Sequence, residues 1–238
     1  MALTSPEGIP ITVRAIERGD LGCVLLRCLP DGGNIEGLFN DQGTIGMAAW
    51  AGDRCVGQLH CYRVILPEGM SKRWPEWSRW LPESSWWSEA AHTSRLGLGG
   101  PAWCHACFHV GRTLESAAVT DDPDPRYHGR GIGTALCRES VRWARHRDYA
   151  LVVALGAPEG LLEYAAWAGQ LPWTTYAKLG FGVVGFEVQS KLIPGWAEGN
   201  SPPEVMAEVR AAMARGRPKS DFCSRVMALD LRRVPATE

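Results

Sequence analysis

Apolar and polar positions alternate along ITVRAI (11–16), the pattern of a strand with one buried face. In the next stretch, ERGDLGCVLLRCL (17–29), Asp20 stands where an N-cap belongs, which predicts a helix. TIGMAAWAGDRCVGQLHCYRVIL (44–66) predicts two strands turning at Ala51, Gly52, Asp53 and Arg54. AWCHACFHVGRT (102–113) is rich in strand formers, and YALVVALG (149–156) is a short apolar run suited to a buried strand. Between them, Ile132, Ala135, Leu136 and Trp143 fall on one face of a helix, with Arg138, Arg142 and Arg145 elsewhere. A helical segment then runs to Leu179 and stops at Gly180, followed by the strand GVVGFEVQSKL (182–192). PPEVMAEVRAAMARG (202–216) predicts a helix ended by Gly216, and SRVMALDLRR (224–233) a last strand, with a frayed tail after it.

Strands and helices alternate with hairpins on one side and crossovers on the other, which predicts one α/β domain over 1–238. Two segments read as insertions: a Trp-rich one at 67–101, and a helical one at 193–220 before the last strand. The first holds Trp74, Trp77, Trp80, Trp86 and Trp87. They suit either a buried subdomain or dimer interface, or a wall that receives an apolar acceptor or acyl chain. The net charge of −1 gives no pull toward nucleic acid or anionic lipid. The N-terminus has no basic-then-apolar leader pattern, and no apolar run is long enough to span a bilayer. Eight cysteines in a chain of 238 residues without an export signal favour reduced thiols and a cytoplasmic location.

Candidate chemistry concentrates in DPRYHGRGIGTALCRESVRWARHR (124–147), where Gly129, Gly131 and Gly133 alternate and a helix follows at once. Glycines opening a helix after a strand let backbone N–H groups converge on an anion, and the helix dipole adds to the attraction. The dinucleotide fingerprint needs G-x-G-x-x-G and the P-loop needs Gly-Lys-Ser/Thr, and neither spacing is present.

The run resembles the cofactor loop of the GNAT superfamily of N-acetyltransferases, with His128-Gly129-Arg130-Gly131-Ile132-Gly133 in the frame of Arg/Gln-x-x-G-x-G/A. His128 stands where that family has Arg or Gln. A second match is Tyr176-Ala177-Lys178-Leu179-Gly180-Phe181, similar to the family's Y-x-x-x-G-F. The resemblance implies a mixed, mostly antiparallel sheet splayed at strands four and five and flanked by helices. It implies acetyl-CoA as cosubstrate, bound by Val110, His128, Gly129, Arg130, Gly131, Ile132, Gly133 and Thr134. It further implies direct acetyl transfer to a primary amine of a small molecule or peptide, with Tyr176 protonating the departing thiolate. Departures lie in the long stretches RTLESAAVTDDPD (112–124) and APEGLLEYAAWAGQLPWTT (157–175), both bordering the family's acceptor pocket. Another acyl-CoA donor, a non-catalytic CoA-binding module and a homodimer stay open.

The amine must lose a proton, and His109, Glu115, Asp121, Asp122 and Glu163 are candidate bases, with His109 chosen beside Tyr176 as catalytic. Simple alternation along Cys104–His109 would put His105, Cys107 and His109 on one face and Cys104 on the other. That geometry gives no paired chelate, so no metal site is expected.

Overall fold

A computed structural model describes residues 3–26, 35–66, 100–111, 124–186 and 201–232. Among these residues, eight strands form one sheet of order β1-β2-β3-β4-β5-β8-β7, with the short β6 paired to β5. The strands are β1 (Ile11–Ala15), β2 (Gly46–Ala51), β3 (Arg54–Leu66), β4 (Gly100–Val110), β5 (Leu151–Ala157), β6 (Leu171–Pro172), β7 (Gly182–Phe186) and β8 (Arg225–Asp230). The helices are α1 (Ile35–Gln42), α2 (Ile132–Arg145), α3 (Leu162–Trp167), α4 (Trp173–Lys178) and α5 (Pro203–Ala214). β1 to β4 run antiparallel to one another, β4 and β5 are parallel, and β8 is antiparallel to both β5 and β7. The sheet is the mixed, mostly antiparallel one expected. No helix among the described residues is long and apolar enough to cross a membrane.

The β2–β3 hairpin turns where the sequence placed it, with Gly52 at φ +61°. Of the helix expected over 17–29, the described part, residues 17–26, contains no α-helix. Arg14 takes the Asp20 carboxylate in two contacts of 2.6 and 2.8 Å, leaving only a 3-10 turn at Arg18–Asp20. Among the described residues the first α-helix is Ile35–Gln42.

Two buried layers cover the sheet. On one face α2 packs Ile132, Leu136, Cys137 and Ala144 against Met47, Leu59 and Trp103, and Tyr176 and Phe181 join the same layer. On the other, Phe39 of α1 meets Ile16, Ile45, Trp50 and Tyr62. A third cluster joins α3 to α5 through Leu161, Tyr164, Val209 and Phe222. Glu208 of α5 accepts from the backbone N–H groups of Leu162, Glu163 and Tyr164 at 2.6, 3.3 and 3.0 Å, so one carboxylate caps the start of α3. The seven described cysteines are free thiols.

Candidate active site

Two features of β4 shape the site. The first is a bulge: His60 pairs with Cys107 but Cys61 pairs with His105, so Ala106 is an extra residue on β4. Alternation breaks there, correcting the single face expected for His105, Cys107 and His109. His105 faces α2, its Nε2 3.0 Å from Ser140 Oγ and its Nδ1 3.9 Å from Cys137 Sγ. His109 faces the opposite layer, its ring centroid 5.2 Å from that of His60. The second feature is the splay. β4 pairs with β5 only over Ala102–His105, and beyond the bulge the two strands part.

The chain crossing from β4 to α2 is braced before it reaches the glycines. Asp124 N–H donates to Gly111 O at 2.9 Å, and the Asp124 side chain accepts from Arg126 N–H at 2.9 Å, capping the turn Pro125–Tyr127. The Arg126 guanidinium also grips Asp124, holding that carboxyl below the ordinary range, and lies 3.4 Å from Glu7. Tyr127 is buried and takes a hydrogen bond from Arg54. Arg126 is thus engaged by carboxylates, and Arg130 Nε donates to Arg126 O at 2.6 Å.

The structure brings His128 and Val110 together: Nε2 of His128 donates to Val110 O at 3.3 Å. Gly129 and Gly131 follow in the left-handed region, at φ +70° and +82°. A Cβ at Gly129 would meet nothing within 4 Å, and one at Gly131 only Leu3 Cδ2 at 3.6 Å. Gly131 is the N-cap of α2 and its own side caps nothing. Among the described residues, no main-chain N–H from Gly129 to Thr134 finds a partner; the first to do so is Ala135, to Gly131 O at 2.9 Å. Gly133 differs. It is buried, and a Cβ there would lie 2.7 Å from Leu171 Cδ2, so its missing side chain makes room for packing. The result is a row of free donors at a helix N-terminus, with open space over the two glycines that precede it.

Tyr176 ends in the layer beneath this turn, 1% exposed, its ring 5.0 Å from Phe181 and 6.0 Å from His105. Burial pushes its phenol well above the ordinary range and pulls His105 down to about 3, so both are neutral near pH 7. Its position comes from a Schellman end to α4: Phe181 N–H bonds Tyr176 O at 3.1 Å, Gly180 N–H bonds Ala177 O at 3.0 Å, and Gly180 takes φ +90°.

Glu163 is exposed at the start of α3. Glu115, Asp121, Asp122 and the five tryptophans of 67–101 lie outside the described residues. Sequence reasoning missed His60, fully buried on β3, whose Nε2 lies 2.9 Å from Leu25 O while Nδ1 has no partner among the described residues. The signal was present: Gln58 and His60 are polar positions in a strand flanked by apolar ones. No group of three metal-ligating side chains occurs among the described residues.

No family model matches the chain, and no curated protein matches it in sequence. Solved structures do match. An insect protein assigned as arylalkylamine N-acetyltransferase 7, from the yellow fever mosquito Aedes aegypti, superposes with a TM-score of 0.56 at 12% identity, over 97% of this chain and 93% of its own. An agmatine N-acetyltransferase gives 0.50 at 14%, over 92% and 99%. A mosquito arylalkylamine N-acetyltransferase-like 5b protein gives 0.50 at 11%, over 92% and 99%. At such identities the likeness is one of architecture: the chain has the GNAT fold of these N-acetyltransferases.

Proposed function

We propose that the protein is an acyltransferase that moves an acetyl group from acetyl-CoA directly to a primary amine. One observation carries the reading: at the N-terminus of α2, beside the parting of β4 and β5, the N–H groups of Gly129 to Thr134 have no acceptor among the described residues, and the space over Gly129 and Gly131 is open. Such a turn suits a diphosphate, because it offers several donors and a helix dipole without a side chain in the way. Val110, His128, Arg130 and Ile132 complete the cradle. His128 fixes the loop to the end of β4, Ile132 anchors it in the core, and Arg130 keeps a cation at its rim. The names of the fold neighbours, an agmatine and two arylalkylamine N-acetyltransferases, support an amine acceptor.

The coenzyme thioester supplies an activated acyl group and a thiolate leaving group. The chain's own residues bind the anion, exclude water and handle two protons. His109, the proposed base, faces the layer away from α2, across the sheet from Tyr176, so it would take the proton the amine loses from the side of the splay opposite the thiolate's donor, as the nitrogen bonds the acyl carbon. Tyr176 stays protonated near neutrality and gives its proton to the sulfur as the carbon–sulfur bond breaks.

A second reading, a CoA-binding module without catalysis, draws on the depth of Tyr176 in a ring-lined core. A thiol-release assay with acetyl-CoA and a panel of arylalkylamines and polyamines separates the two. Acceptor-dependent release is the expected result. Tight CoA binding with no release for any amine would favour the module.

A further inference from the structure

The wedge between β4 and β5 is already filled, and by the chain itself. Phe108 N–H, on the β4 edge freed beyond the bulge, donates to Gly169 O at 2.8 Å. On the other side, Leu171 and Pro172 pair in parallel with Gly156 and Ala157 of β5. Residues 169–172 therefore run as an extra strand inside the splay. Three glycines are shaped to this fit. A Cβ on Gly169, at φ +63°, would collide with Cys107 Sγ. One on Gly133 would press Leu171, and one on Gly156 would lie 2.8 Å from Trp173 Cα.

The segment's first two residues are tied to the end of α3, Gln170 N–H to Ala165 O at 2.8 Å and Gly169 N–H to Ala166 O at 3.3 Å, but the part inside the splay is lightly held. Its ladder to β5 is two residues long, it takes one backbone bond from β4, and Leu171, Pro172 and Trp173 are only half-buried. Among the described residues Gln170 Oε1 is buried without a partner, a cost that opening would relieve. Two-residue pairings of this kind are marginal by themselves.

We infer that Gly169–Pro172 is an autoinhibitory strand occupying the groove that the amide-bearing arm of coenzyme A takes when it binds. The inference rests on the proposed coenzyme site at Gly129–Thr134 and extends it. An extended chain carrying amides replaces another strand in a β groove by exchanging like hydrogen bonds, so Phe108 N–H passes from Gly169 O to the ligand. The diphosphate turn is open in the present state while the arm's groove is closed. Binding is then coupled to release of the segment, and its affinity is reduced by the fraction of molecules with the groove open.

The test uses the full chain, coenzyme A as the probe, calorimetry and amide hydrogen exchange. Leu171→Ala removes the contact over Gly133, and Gly169→Ala forces the segment away from Cys107; thermal melts confirm that each variant is folded. Both variants are expected to bind coenzyme A about tenfold more tightly than the wild type, the gain that follows when the open fraction rises tenfold. In the wild type, saturating coenzyme A is expected to speed exchange at Leu171 and at its β5 neighbour Ala157, whose pairing breaks when the segment leaves the groove. Equal or weaker affinity in both folded variants, with Leu171 and Ala157 still protected in the wild-type complex, would overturn the inference and leave the coenzyme site standing. No binding by any of the three proteins would overturn both.

Discussion

At the scale of single residues, burial sets the chemistry. His105 sits in an apolar layer with Ser140 as its neighbour, and desolvation drops its pKa from 6.5 to about 3. The unfolded chain therefore binds a proton below about pH 6.5 that the folded chain refuses, so this group's contribution is full above pH 6.5 and lost as pH falls toward 3. In that window His105 should lower stability by up to about 1.4 kcal/mol per pH unit. Urea titrations at pH 7, 6 and 5 on the wild type and His105→Gln should show a steeper loss in the wild type; parallel losses would remove His105 from the acid response. Tyr176 is deeper still. Tyr176→Phe should cut turnover by about 10²-fold, the low end of what a positioned acid contributes, with coenzyme affinity unchanged. Undiminished turnover would take the phenol out of the chemistry.

Elements explain what the sequence could and could not disclose. The hairpin at Gly52, the apolar stripe of α2 and the Gly180 stop were readable because each is a local rule with a residue that obeys it. The Ala106 bulge was not, since one extra residue leaves no trace in composition, yet it turns His109 to the face opposite His105. The absence of an α-helix over residues 17–26 has a local cause that crosses elements: Arg14 on β1 captures the Asp20 carboxylate that would have capped one. β6 escaped for lack of length, although the long 157–175 stretch marked where the chain departs from the family pattern. The α3 cap was invisible too, because Glu208 lies 46 positions from Leu162. Glu208→Ala should destabilise the protein by about 0.5–2 kcal/mol, the range for losing a helix cap. A change confined to a few tenths, read by urea denaturation, would mean water serves those N–H groups equally well.

Over the whole molecule, two halves of one sheet meet at a seam only four residues long on β4, Ala102–His105. Above it the strands part, α2 starts, and donors collect that the fold leaves unsatisfied. That arrangement explains the alternate glycines. Gly129 and Gly131 hold left-handed turns under open space, while Gly133 serves the packing of Leu171. Gly131→Val should therefore act twice, straining a φ of +82° and covering the turn, with a larger loss in coenzyme affinity than in stability. Calorimetry and urea denaturation on the same sample compare the two; equal affinity would mean that the turn is not the anion site.

The most direct measurement is a titration of the 15N-labelled protein with coenzyme A, following backbone amides by NMR. The account expects the largest shifts at Gly129 to Thr134, with saturation at a single affinity. Saturable binding that leaves those amides unmoved and shifts another surface would contradict it.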